Sequence, residues 1–353
     1  MCNIAGYIGP QEAAPVLCEM MRRESGFFGG YYSGIVTVSN GKLHYAKTIG
    51  DMDLLTQKFN AESLPGQCGL IHSRSNSGGD SRWSHPFLSN DSKIAYIANG
   101  SGGKLAALID RDEAAQEMES KGYKYDSADE RSIGAYPKLS DGRTVHGSET
   151  MTFLIRDFMM SHGVSLCDAM ALAFIRFPAE IIGLSISSDE PDKISFARYN
   201  MPCMVGRTAD EVFIASTALA FPDDRDYISI TPLPECSYGT VSIKETVIKR
   251  FSSPIKVTTL SPMIQNIVSD RVNECLKSSS GPCSFGTLAR SSKDIWPDSE
   301  LTQRHLATYL VLYDMVKSGE VEIIKKIQPG APEGKSLNIK TTQYLFKPKS
   351  VSQ

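Results

Sequence analysis

The feature that most constrains this 353-residue chain is a change of hydrophobic period along its length. Up to about residue 250, apolar residues recur at every second position in short runs, the period of a half-buried strand. The spacing predicts strands over 3–8, 33–39, 42–48, 68–73 and 93–98, then over 180–188, 193–198, 212–215, 227–230, 239–244 and 246–251. Asn99-Gly100 follows the fifth run as a turn signal, and Asp189-Glu190-Pro191-Asp192 reads as an acidic turn between two others. Helical spacing predicts 15–23 and 105–121. Between the two bursts of strands it predicts 149–161 and 167–177, with Gly163 stopping the first of that pair. Strands, two helices and strands again imply an α+β layered domain.

Residues 252–256 mark a seam, after which the pattern changes. Helices are expected over 261–277, 284–289 and 299–318, with Pro262 in a permitted first-turn position. Alternating runs over 320–326 and 336–346 flank a Pro/Gly loop at 328–334. Three helices followed by a hairpin are winged-helix-like. The chain therefore divides into residues 1–252 and a small α+β module, residues 253–353, of unassigned role.

The formal charge is −3, so no global field draws the chain to nucleic acid or to a membrane. No apolar run is long enough to span a bilayer, and no leader pattern opens the chain. The predicted helix at 299–318 carries only Arg304, His305 and Lys317 as basic groups, a sparse face for reading DNA. Protein docking or dimerisation is the plainer use of such a module, with nucleic acid as the lesser option. Cysteines stand at 2, 18, 68, 167, 203, 236, 275 and 283 without a C-x-x-C pair or zinc spacing. They read as reduced thiols of a cytoplasmic protein with no metal or cofactor.

Cys2 is different because of its position. Removal of Met1 would place a thiol and an α-amine on one residue. Their unperturbed pKa values, about 8.5 and about 8, both lie near neutrality. The amine can take the thiol proton and later protonate a departing nitrogen, so no histidine is required as base.

The opening Met1-Cys2-Asn3-Ile4-Ala5-Gly6-Tyr7-Ile8-Gly9 resembles that of the class II glutamine amidotransferases. Within them it is most like the glutaminase domain of glucosamine-6-phosphate synthase. Further segments resemble the family in the same order: Gly69-Leu70-Ile71-His72-Ser73-Arg74, Ser84-His85-Pro86-Phe87, the run ending at Asn99-Gly100, Ser148-Glu149-Thr150 and Ala215-Ser216. The family departs from this chain at several points. Asn3 stands where it usually has glycine. The run after Arg74 is Ser75-Asn76-Ser77-Gly78-Gly79 and lacks the family's Trp and His. An insertion lies between Gly103 and Ser148.

The resemblance implies a four-layer αββα sandwich of the N-terminal-nucleophile type for residues 1–252. It implies Cys2 as nucleophile toward L-glutamine, with ammonia released and a γ-glutamyl thioester hydrolysed by water. Asn99 and Gly100 would hold the oxyanion. Arg74 would pair with the α-carboxylate through a bidentate contact. Ser75, Ser77 and His85 would shape the substrate pocket. Glu149 would accept from the α-ammonium or serve only as a first-turn helix acid. Nothing after residue 252 resembles an ammonia-using domain, so ammonia would pass to a separate protein or be released; a separate ammonia-accepting protein or a homo-oligomer is the expected partner. Two other functions stand beside this one: a glutamine-binding regulatory protein, and an N-terminal-nucleophile hydrolase of another small amide.

Overall fold

The computed structural model of the chain describes residues 2–101, 105, 109–252, 255–332 and 339–349. In chain order the first part comprises β1 (Asn3–Ile8), α1 (Ala13–Phe28), β2 (Tyr32–Ser39), β3 (Lys42–Ile49), α2 (Met52–Phe59), β4 (Cys68–Arg74), β5 (Phe87–Leu88), β6 (Ile94–Ser101) and α3 (Arg111–Ser120). Then come α4 (Gly147–His162), α5 (Leu166–Arg176), β7 (Glu180–Ser187), β8 (Glu190–Arg198), β9 (Met204–Arg207), β10 (Val212–Ala215), β11 (Ser229–Pro232), β12 (Ser237–Val241) and β13 (Thr246–Arg250). The strands form two antiparallel sheets, in the orders β11-β9-β10-β1-β4-β2-β3 and β13-β12-β8-β7-β6-β5.

The alternation of side chains decides the layers. Ile4, Ile8 and Leu70 from one face of the first sheet meet Ile97, Leu184 and Phe196 from the second. The opposite face of the first sheet, with Ala5, Tyr7 and Phe213, is covered by Leu17, Met20 and Met21 of α1. The outer face of the second, with Tyr96 and Ala98, is covered by Phe153, Met170 and Phe174 of α4 and α5. The result is the αββα sandwich, with the two central helices closing one side.

Local signals set several helix ends. Asp51 caps α2 by accepting from Leu54 N at 3.0 Å, and Ser165 caps α5 by accepting from Asp168 N at 3.3 Å. Gly163 closes α4 at φ 63°, the left-handed cap that glycine adopts without strain. Other expectations fail for tertiary reasons. Asn99-Gly100 is not a turn: β6 runs through it, pairing Asn99 with Ile182 and Gly100 with Ile181. The acidic turn contracts to its beginning, because Glu190–Asp192 already belongs to β8. The helix expected over 105–121 starts at Arg111, where Asp110 accepts from Asp112 N and Glu113 N; positions 102–104 and 106–108 lie outside the described residues.

The second module contains α6 (Pro262–Ser278), β14 (Cys283–Ser284), α7 (Phe285–Arg290), α8 (Arg304–Lys317), β15 (Val321–Gly330) and β16 (Ile339–Pro348). Its strands pair in the order β14-β16-β15. Helix, strand, two helices and a hairpin follow one another along this module. α8 begins at Arg304 rather than 299, since Leu301 instead bridges to Val257. β15 takes in Gln328, Pro329 and Gly330, the first part of the expected Pro/Gly loop; positions 333–338 lie outside the described residues.

The division at residue 252 does not separate the two cores. α1 runs one turn beyond the expected 15–23, and this turn carries Phe27 and Phe28 into the second module. Phe27 stacks on Phe346 at 5.5 Å between ring centroids and meets Tyr309 and Tyr344 edge-on. Gly26 permits the approach: a Cβ there would lie 2.6 Å from the Tyr344 ring. Helix α8 is held on two sides. Leu312 and Met315 enter the core of its own module, while Leu306, Leu310 and Tyr313 pack on the core beneath α1. The buried Arg198 ties the parts further, donating to Met201 O, Leu233 O, Asn200 O and Gln303 Oε1.

Candidate active site

Cys2 stands immediately before β1, half-buried, at the edge of a cavity of about 370 Å³. That volume is near the lower end of small-molecule sites and suits an amino acid. The Cys2 N–H donates to Asn99 Oδ1 at 2.8 Å, which leaves Nδ2 as the donor the Asn99 amide can offer an oxyanion. Sγ lies 3.9 Å from Ser75 Oγ. Burial pushes the thiol up, but hydrogen bonding with His72, the charge of His72 and of the amino terminus, and the Ser75 backbone together outweigh it and bring the thiol down to about 6. The structural cysteines behave oppositely: burial pushes Cys18 and Cys203 up to about 12. Of the cysteines whose shift is resolved, Cys2 alone is moved toward reactivity.

The β-sandwich explains these contacts. Ile4 pairs with His72 across β1 and β4, so Cys2 and His72 share the face turned toward the second sheet. On that second sheet, β6 presents Asn99 to Cys2, and the Ala98 carbonyl lies 3.0 Å from His72 Nε2. Gly100 has φ +126°, and a Cβ there would lie 2.0 Å from the Glu180 carbonyl oxygen. Only glycine fits this position, for a packing reason rather than the turn that its sequence suggested.

Of the expected site residues, Cys2, Arg74, Ser75, Ser77, His85 and Gly100 all border the cavity, and Asn99 is bound to Cys2. Glu149 does not border it. It is 3 % exposed, and its carboxylate accepts from Asp126 N at 2.9 Å, from Ser127 N at 3.0 Å and from the Ser127 hydroxyl. In this arrangement Glu149 is a first-turn acid of α4 that holds a loop. Among the described residues no Asp or Glu borders the cavity.

Arg74 borders the cavity but is already engaged. Its guanidinium donates to Gly78 O at 2.8 Å, Ser77 O at 3.1 Å and Tyr136 Oη at 3.1 Å, and lies over the Tyr32 ring at 4.7 Å. The run that lacks the family's Trp and His is thus folded back on Arg74. Trp83, further along, meets the Tyr136 ring edge-on at 5.0 Å.

Sequence reasoning missed Arg111, Tyr136, His146 and His72. The first three come from the insertion and the loop behind it, and they close one wall of the cavity. Nothing in their local pattern marks them. His146 caps α4, accepting from Ser148 N through Nδ1 at 3.1 Å. His85 stacks on His72 at 3.9 Å, with both ring nitrogens lacking a protein partner. Burial, reinforced by neighbouring positive groups, pushes both His85 and His146 well below the usual range, so they stay neutral. Among the described residues no cluster of His, Cys, Asp or Glu could hold a metal ion.

No family model matches the chain. It is 28 % identical over 224 residues to glutamine–fructose-6-phosphate aminotransferase (isomerizing) of Pyrococcus horikoshii, covering 63 % of this chain and 33 % of that protein. It is 30 % identical over 224 residues to the protein of the same name from Chlorobaculum tepidum, covering 62 % and 32 %. The chain thus spans about a third of the length of the curated relatives it matches. Among solved structures, glutamine phosphoribosylpyrophosphate amidotransferase from B. subtilis superposes with a TM-score of 0.59 at 16 % identity, over 96 % of this chain and 71 % of that one. A structure described as the allosteric regulatory enzyme of purine biosynthesis gives 0.60 at 16 %, over 96 % and 70 %. These structural likenesses concern the fold. The first 250 residues or so are similar in sequence to glutamine amidotransferases, and the chain has the N-terminal-nucleophile fold.

Proposed function

We propose that the chain catalyses the glutaminase half-reaction of an amidotransferase, hydrolysing L-glutamine to glutamate and ammonia through Cys2. The observation that carries the reading is Cys2 itself: its thiol is brought down to about 6 beside a cavity of amino-acid size. Removal of Met1 turns the Cys2 N–H into an α-amine beside Asn99 Oδ1. The thiolate attacks the glutamine side-chain carbonyl, the oxyanion is held by Asn99 Nδ2 and the Gly100 N–H, and ammonia leaves. Water then releases glutamate from the thioester. A preorganised oxyanion donor typically contributes roughly 3–4 kcal/mol to such a step.

Arg74 meets the α-carboxylate only after letting go of Ser77 O or Gly78 O. The resting site is accordingly slow, and its loop must move before substrate is gripped. The wing touches that loop: Asn76 Nδ2 donates to Ala331 O at 3.0 Å. Residues 253–353 therefore act as a docking module through which an ammonia-accepting protein, or a second copy, sets the loop. Nucleic acid is the poorer partner, since α8 is packed on both sides. The same pattern of unpaired thiols fits a cytoplasmic protein.

The test is the intact mass of the purified protein before and after 6-diazo-5-oxo-L-norleucine, with Cys2→Ala as control. Loss of Met1 and one adduct absent from the control are expected. A processed chain that stays unlabelled would instead leave a regulatory protein built on the same domain.

A further inference from the structure

Arg74 is a cation where water barely reaches: it is 1 % exposed. Its hydrogen-bond partners are Gly78 O, Ser77 O and Tyr136 Oη, and its guanidinium lies over the Tyr32 and Trp83 rings. None of these is an anion. A buried cation matched only by neutral groups is costly, and an anion brought to it through the cavity relieves that cost. Of the three acceptors, only the Tyr136 hydroxyl also carries a hydrogen to give. Its oxygen accepts from Arg74 Nη2 at 3.1 Å, and among the described residues none accepts its own hydrogen. The phenol borders the cavity and is held there. Its ring meets Trp83 edge-on at 5.0 Å and lies 5.0 Å from the His146 ring. Its chain neighbours are anchored too: Ala135 O accepts from Arg111, and Pro137 O accepts from Val145 N at 2.9 Å.

We propose that Tyr136 is a substrate-binding residue: its hydroxyl is the second arm of the carboxylate site, donating to the same α-carboxylate that Arg74 pairs with. This deepens the glutaminase reading and rests on it. When Arg74 lets go of Ser77 O or Gly78 O, the freed N–H turns to one carboxylate oxygen. The phenol stays bonded to Arg74 and gives its hydrogen to the other oxygen. Accepting from a guanidinium polarises the O–H, which makes it a better donor to an anion. The ring is already fixed by Trp83 and His146, so little side-chain freedom is lost on binding. An amide without a carboxylate gains from neither arm. The Arg74–Tyr136 pair is thus what selects L-glutamine over other small amides, and Tyr136 reaches it from the insertion, 62 residues along the chain.

The experiment is the labelling of Cys2 in the full chain, wild type against Tyr136→Phe, mapped by peptide mass. Two reagents are compared: 6-diazo-5-oxo-L-norleucine, which carries the α-carboxylate, and iodoacetamide, which does not. The substitution keeps the ring and removes only the oxygen. A hydrogen bond to a charged group typically changes an equilibrium constant by roughly 10–100-fold. The norleucine concentration giving half-maximal labelling rate should rise by that factor, while the iodoacetamide rate should stay within about twofold. Equal losses with both reagents would mean a merely structural role and overturn the proposal. So would an unchanged half-saturation, or a lower one, which would mean that the phenol blocks Arg74. In those cases norleucine labelling of the wild type leaves the glutaminase reading standing. Should norleucine not label the wild type, that reading fails, and protection of Cys2 from iodoacetamide by L-glutamine decides on Tyr136. Protection weakened by roughly 10–100-fold in Tyr136→Phe supports it, and absent or equal protection overturns it. Should Tyr136→Phe fail to fold, 3-fluorotyrosine placed at position 136 alone decides instead. Its fluorine-19 shift must move with L-glutamine; no movement, or the same movement with 4-aminobutanamide, which lacks the carboxylate, would overturn the proposal.

Discussion

Replacing Glu149 by alanine separates a loop anchor from a substrate ligand. The carboxylate is buried and accepts three hydrogen bonds from Asp126 and Ser127. Removing it leaves two backbone N–H groups facing a space that water fills poorly, each costing about 1–3 kcal/mol. It also removes an acid from the first turn of α4, worth about 0.3–1 kcal/mol. The loop that would slacken ends at His146 N, which donates to the same Ser127 hydroxyl at 2.8 Å. We therefore expect Glu149→Ala to lose about 3–5 kcal/mol of stability, measured by urea unfolding with tryptophan fluorescence. Trp83 reports directly, because its ring touches Tyr136 and His146. Glu149→Gln keeps one acceptor and should lose about half as much. The Michaelis constant for glutamine should move by less than about threefold in the folded Gln variant, the change expected when no ligand contact worth ~1 kcal/mol is lost. A loss below about 1 kcal/mol with a large rise in the Michaelis constant would refute the reasoning and return the carboxylate to the substrate.

Three further outcomes follow from the packing. Asn99→Ala removes the acceptor of Cys2 N and the oxyanion donor together; steady-state assay should show kcat down by about 10²–10³, and an unchanged kcat would remove Asn99 from the site. Gly26→Ala drives a Cβ into the Tyr344 ring and should cost about 1–3 kcal/mol, seen as faster limited proteolysis of β16 before the sandwich is cut; uniform protection would argue against the docking contact. Glu24, on the inner face of α1, lies buried near Asn3 and Tyr309, and burial raises its pKa well above the usual range against the weaker pull of hydrogen bonding from Ser216, Asn3 and Thr217. A raised carboxyl contributes its full stability below the unfolded value, and that stability drains away as pH rises through the folded value. Glu24→Met should accordingly be more stable than wild type at pH 8 by about 1–3 kcal/mol, with the gap closing toward pH 4; a variant less stable at pH 8 would show that the hydrogen bonding outweighs burial.

Much of the first domain was legible because period-2 patterning reports burial directly. β1 and β10 fall where the alternation puts them, and β2, β3 and β4 differ at their ends by one residue. α2 and β9 were not legible. The first is eight residues with two buried side chains, and the second is four residues whose pattern cannot be told from loop. The structure brings Cys2, Arg74, His85 and Gly100 to one cavity, with Asn99 bound to Cys2. Glu149 was not placed, because a helix first turn reads the same whether its acid faces a ligand or its own loop.

By itself the sequence determined the strand and helix periods, the position of Cys2 beside Met1 and the order of the site segments. These are local or one-dimensional properties, fixed by which face of each element must be buried. Only the tertiary structure decided that Asn99-Gly100 continues a strand, that Phe27 belongs to the second module and that Tyr136 closes over Arg74. It also decided that His72 and Cys2 share one face of the first sheet. Each depends on which distant carbonyl, ring or thiol arrives at that place, and a separation of 70 residues along the chain carries no record of it.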